Sequence, residues 1–165
     1  MKILSEEDLY RLALYILEKK GLILCIGTEL REDDRACLEL CKELANLGLD
    51  AVECPFGLEM CSHIVVERRP RLIAIFDAMV SGSTPGTIAL VDLDEITDIL
   101  LTTHTIPINM VLKYIRSSIP DLETIVIGIE VERLGIGIEI SESVRKAIDR
   151  VVEVFKKALD VISRS

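Results

Sequence analysis

The chain has 165 residues, half of them hydrophobic and only 4% aromatic, with 28 acidic against 19 basic side chains and a net charge of −9. That length suffices for a single domain, residues 1–165, with an aliphatic core, and is short for two. The acidic balance repels a phosphate backbone, and the densest basic run, Glu67-Arg68-Arg69-Pro70-Arg71, reads as a solvated loop, which argues against nucleic-acid binding.

The first residues, MKILSEEDLYRL, carry acids close to the start and no long apolar core, so they do not read as a signal peptide. No window reaches the roughly 18 uncharged apolar residues of a membrane span. A cytoplasmic monomer with no membrane contact is expected. The five cysteines are odd in number and contain no CxxC pair, which fits a reducing compartment better than a disulfide framework. Cys37 and Cys41 lie one helical turn apart on an apolar stripe, which reads as buried small hydrophobes rather than a metal clip.

In chain order, Ser5 with Asp8 resembles a capping box, and Leu9, Leu12, Ala13, Ile16 and Leu17 repeat at helical spacing until Gly21, giving an additional N-terminal helix over about residues 1–20. Leu22 to Ile26 runs without a polar break, as a strand covered on both faces does. Thr28 to Glu32 makes a turn, and Asp33 and Asp34 open the next helix, which carries Ala36, Cys37, Leu40, Cys41 and Leu44 and closes near Asn46. Ala51 to Glu53 is a brief strand ended by Cys54-Pro55, Leu58 to Glu67 a helix, and Leu72 to Phe76 a second buried strand ending in Asp77. Gly86 to Val91 forms another strand after the turn residues Ser81 to Pro85, and Asp92 to Asp98 is an acidic loop with a helical turn. A helix runs from about Pro107 to Ser118, a strand from Thr124 to Ile129, and Ser141 caps a long terminal helix with Val144, Ile148, Val151, Phe155 and Ile162 on one face. Strands alternating with helices predict a three-layer α/β sandwich with an approximately five-stranded, mostly parallel sheet.

Open sheets of this kind place ligands beyond the carboxyl ends of their strands. Three polar positions fall there or at helix starts: Asp33-Asp34, Asp77 and His104. Singly, the acids read as helix caps and the imidazole as a loop histidine. Together they offer oxygen and nitrogen ligands suited to a borderline divalent ion such as nickel or zinc. A nucleophile drawn from Ser81, Ser83 or Cys54 with His104 as base finds no GxSxG elbow in support, and the Gly27-Thr28-Glu29 turn lacks the spacing of a phosphate loop. His63 falls in a helix and reads as structural.

Three segments, LCIGTELREDD, IFDAMVSGSTPGTI and TTHTIPINMVL, taken in this order and spacing, resemble the nickel-iron hydrogenase maturation endopeptidases, in particular the branch that processes formate-hydrogenlyase-type and archaeal large subunits. The likeness spans about Leu22 to Leu159. It implies a five-stranded sheet between helices and an enzyme that trims a carboxyl-terminal peptide from a hydrogenase large-subunit precursor after nickel insertion. Nickel would arrive with that substrate. The family's metal ligands carry over as Asp34, Asp77 and His104, with Asp33 as a supporting acid, so the resemblance assigns catalysis to Asp33, Asp34 and Asp77.

The chain departs from the family at Thr28, where asparagine is usual, at Arg35, where glycine is usual, and at Glu53-Cys54-Pro55, which aligns with an Asp-Gly-Gly segment. A guanidinium pointing inward beside the acids would oppose cation binding, and proline adds bulk where glycine lets a backbone approach. These departures leave two other readings open: a non-proteolytic paralogue that binds a metalloprotein or a metal, and a nickel-independent peptidase on the same fold.

Overall fold

The computed structural model describes residues 1–100 and 106–165. Its strands are β1 (Lys2–Ile3), β2 (Leu22–Gly27), β3 (Ala51–Pro55), β4 (Leu72–Met79), β5 (Ile88–Leu90) and β6 (Glu123–Glu130), joined in one sheet in the order β1-β5-β6-β4-β2-β3. The helices are α1 (Glu6–Glu18), α2 (Ala36–Asn46), α3 (Ser62–Arg68), α4 (Ile96–Ile99), α5 (Ile108–Ser118) and α6 (Glu142–Ser163), with 3-10 turns at Glu32–Arg35 and Leu58–Met60.

The central strands β3, β2, β4 and β6 are mutually parallel, whereas β5 and then β1 add antiparallel on the far side of β6. The sheet therefore has one strand more than expected. Two residues, Lys2 and Ile3, are too few to show a strand period in the sequence, and they pair only because β5 offers an open edge. The short second strand runs on to Pro55, which β3 tolerates because it is an edge strand. The helix expected over Leu58 to Glu67 is interrupted: a 3-10 turn precedes α3.

Strand alternation sorts the apolar side chains into two layers. Ile23 and Cys25 of β2, Leu72, Ala74 and Phe76 of β4, and Ile127 and Ile129 of β6 face α1, α2 and α6. Leu22, Leu24 and Ile26 with Ile73, Ile75 and Met79 face α3 and α5. The capping box at Ser5 and Asp8 forms as expected, each side chain accepting from the other's backbone N–H at 3.0–3.1 Å. No helix among the described residues is long and apolar enough to cross a membrane.

Phe76 and Phe155 meet edge to face at the centre of the first layer, with ring centroids 6.5 Å apart, and both are fully buried. Phe155→Ala removes that ring from a site that the sheet keeps from collapsing. It should cost about 3–5 kcal/mol and lower the melting temperature by on the order of 10 °C; a thermal scan that moves by a degree or two would place the ring outside the core.

Candidate active site

Successive crossovers leave the sheet on opposite faces. The crossover from β2 to β3 passes through α2 on one face and that from β3 to β4 through α3 on the other. Whereas β2 continues to its outer neighbour β3, β4 continues through the loop over 80–87 to β5 on the opposite side of the sheet order. Neighbouring strands β2 and β4 thus diverge at their carboxyl ends, and the gap between them is where an open parallel sheet forms its crevice. Asp33 and Asp34 lie on the turn that follows β2, and Asp77 lies within the last turn of chain of β4.

The turn is pressed onto the strand end. The Thr28 N–H donates to the Asp34 carbonyl at 3.1 Å, and a Cβ on Gly27 would sit 2.3 Å from that same oxygen. Gly27 is required here for close approach rather than for an unusual φ. Asp34 is fully buried as a result.

Asp33 is fully buried too, and its carboxylate is given to the chain itself. It accepts from the backbone N–H groups of Glu132 (2.9 Å), Arg133 (2.8 Å) and Ser141 (2.7 Å) and from the Ser141 hydroxyl (2.8 Å). Ser141, expected to cap α6, occupies the N-cap position but makes no side-chain cap bond, because its hydroxyl is turned to Asp33.

Alternation along β4 puts Asp77 on the face of Ile73 and Ile75, toward α5, and its carboxylate accepts the Ala78 N–H at 2.8 Å. Asp77 is fully buried. The thiol of Cys37 reports the neighbourhood of both acids: burial pushes its pKa well up, and the charges of Asp77 and then Asp34 push it further the same way. Cys25, Cys37 and Cys41 are buried free thiols, as their stripe predicts.

His104 lies outside the described residues. Of the chain on either side, Leu100 bridges Met79 at the end of β4, and Pro107 precedes the first turn of α5. His63 is on α3 and exposed. Arg35 does not oppose a cation, because its guanidinium is held by Glu39 at 2.8 Å and by the Ile138 carbonyl at 2.7 Å.

Two features escape a reading of the sequence. Glu130, nearly buried at the end of β6, accepts from the N–H groups of Ser81 and Gly82 and from the Ser81 hydroxyl, which pins the loop after β4. An acid closing an apolar strand is the same signal that singles out Asp77, but the partners that give Glu130 its role lie on the distant Ser81-Gly82 turn. The second feature corrects the expectation of uniformly reduced cysteines: Cys54 and Cys61 form a disulfide, with Cα atoms 5.6 Å apart. The bond closes the loop of Pro55, Phe56 and the Leu58–Met60 turn. Phe56 there holds a left-handed φ of +70° and donates its N–H to Gly27. Spacing alone hides the pair, since the intervening turn folds back to bring the sulfurs together.

A family model described as hydrogenase maturation protease matches residues 57–158, more than half of the chain. Hydrogenase 3 maturation protease of Escherichia coli is 26% identical over 135 residues, covering 79% of this chain and 85% of that protein. The [NiFe] hydrogenase maturation protease HybD of Thermococcus kodakarensis superimposes with a TM-score of 0.68 at 26% identity, over 83% of this chain and 97% of that one. The [NiFe] hydrogenase maturation protease HycI of the same organism gives a TM-score of 0.75 at 22% identity, over 91% and 99% of the two chains, which speaks for the fold.

Asp33→Asn would turn one acceptor oxygen into a donor facing N–H groups, at a cost of roughly 2–4 kcal/mol. The expected signature is a lower melting temperature with faster hydrogen exchange at the amides of 132, 133 and 141; unchanged exchange would remove Asp33 from its anchoring place. For the disulfide, thiol titration in denaturant should find three groups without reductant and five with it. The Cys54→Ser/Cys61→Ser pair should lose roughly 2–3 kcal/mol by the loop-closure argument, and five thiols in the unreduced protein would show that the bond is absent.

Proposed function

The chain belongs to the hydrogenase maturation protease family, a family of peptide hydrolases, and from that premise we propose that it removes a carboxyl-terminal peptide from the nickel-loaded large-subunit precursor of a nickel-iron hydrogenase. The observation that carries this reading is the pair of fully buried carboxylates, Asp34 and Asp77, on the two sides of the β2/β4 crevice. Two carboxylates buried at one strand-end crevice are the kind of oxygen donors that a divalent cation takes as ligands. In this proposal His104 completes the set, and the nickel is part of the substrate.

Two carboxylates and an imidazole are donors of moderate strength toward nickel. They complete the coordination of an ion the precursor already holds and leave it there, so the ion orients the tail and marks the precursor as loaded. The carboxylates can also accept a proton from water attacking the scissile carbonyl. Asp33 acts one step away: by tying the Glu32–Arg35 turn to Ser141 it fixes where Asp34 stands, so it is a positioning residue. The pairing of Arg35 with Glu39 removes the electrostatic objection to a cation at Asp34. The chain works, in this reading, as a single-domain cytoplasmic monomer without nucleic-acid or membrane partners.

Incubation with a nickel-loaded precursor, read by intact mass, should release one discrete terminal peptide, and the nickel-free precursor should stay whole. Asp77→Asn should abolish release while shifting the melting temperature by only a few degrees. Equal cleavage of the loaded and nickel-free forms would overturn the nickel-licensed reading.

A further inference from the structure

Four large apolar side chains stand in water on one side of the candidate site: Leu30 is 65% exposed, Phe56 62%, Ile136 98% and Ile138 61%. They belong to three different segments that the fold brings side by side. The Gly137 N–H donates to the Leu30 carbonyl at 3.0 Å, the Glu32 N–H donates to the Gly137 carbonyl at 3.0 Å, and Arg31 and Gly137 form a parallel bridge. Leu30 and Phe56 line one cavity of about 380 Å³ together with Thr28, Glu29 and Pro55.

The ridge is built, not loose. The Arg35 guanidinium grips the Ile138 carbonyl at 2.7 Å, the Asp33 carboxylate holds both ends of the segment that carries Ile136, and the Cys54–Cys61 bond closes the loop that carries Phe56. Exposed apolar side chains gathered on segments that polar bonds and a disulfide hold together mark an interaction surface rather than incidental exposure.

Its charges select the occupant. Glu29 and Glu139 flank the ridge, are exposed, and have no ion-pair partner among the described residues; Arg31 is the one cation beside them that is likewise unpaired. The whole chain carries −9. That charge disfavours a second copy of the same chain and an anionic lipid surface, and favours a neutral or basic protein. The ridge adjoins the site in the chain, because Leu30 stands four residues before Asp34 in the connection that follows β2.

We propose that Leu30, Phe56, Ile136 and Ile138 form the surface that seats the folded body of the precursor, through an apolar patch on the precursor bordered by basic side chains, while the precursor's tail lies at the crevice. This rests on the proteolytic reading above. The site then handles the scissile tail, and the ridge supplies affinity that does not change during the reaction, so its loss raises KM and leaves kcat in place.

The test uses the full-length protein with the Ile136→Asp/Ile138→Asp double variant and a milder Ile136→Ser/Ile138→Ser pair. Both pairs are at solvent-exposed positions, and thermal unfolding checks that they fold. Steady-state cleavage of the nickel-loaded precursor should show KM raised at least tenfold for the aspartate pair and less for the serine pair, with kcat within twofold of wild type. Glu29→Lys/Glu139→Lys should weaken binding of the precursor, and added salt should weaken wild-type binding. A KM unchanged in the folded aspartate variant would overturn the docking surface while leaving the proteolytic reading intact. Wild type that neither binds nor cuts the loaded precursor would instead overturn the proteolytic reading. Sedimentation of the wild type as a dimer that the aspartate pair dissolves would assign the ridge to a second copy and overturn the proposal.

Discussion

One buried carboxylate organises the functional edge of this molecule. Asp33 is cut off from water, and an ionised carboxylate there must be met by donors. Glu132, Arg133 and Ser141 provide them, from a stretch about a hundred residues further along the chain. The consequence is geometric. The turn after β2 and the crossing from β6 to α6 become one piece, and Asp34, Leu30 and Gly137 take their places from it. The hydroxyl of Ser141 serves this joint instead of its own helix, which shows where the stronger demand lies.

A second constraint acts from the sheet. Its central strands are parallel and covered on both faces, so their side chains are apolar along nearly their whole length, and polar chemistry is confined to the ends. Where β2 continues to β3 on one side of the sheet order and β4 to β5 on the other, those ends part. Gly27 lets the turn press down on the strand to within contact of the Asp34 carbonyl, and the crevice acquires an acid from each side. The proposed cleavage chemistry draws on this crevice, where an open parallel sheet takes its ligands.

Much of this was legible in the residues. The unbroken runs Leu22–Ile26 and Leu72–Phe76, the helical spacing of α1 and α6, and the punctuation by Gly21 and Pro107 each reflect a local rule, and each produced the expected element. The acids at Asp34 and Asp77 stood out because a charge closing an apolar run is conspicuous. Glu130 carried the same signal, but its meaning depends on the Ser81-Gly82 turn folding back over it. Arg35 was ambiguous in sequence because its reach covers both the acids and Glu39; the helical i,i+4 pairing and the Ile138 carbonyl decided between them.

By itself the sequence determined the layers, the parallel core, the helix caps at Ser5 and the acidic residues placed at strand ends, because these follow from periodicity and from groups a few residues apart. Only the tertiary structure decided the pairing of Cys54 with Cys61, the antiparallel addition of β1 and β5, the engagement of Asp33 and the meeting of the segments that carry Leu30, Phe56 and Ile136. Those depend on which distant segments meet, and no local propensity encodes that. They are fixed only when burial of the two apolar layers brings the loops together and every polar group caught between them must find a partner.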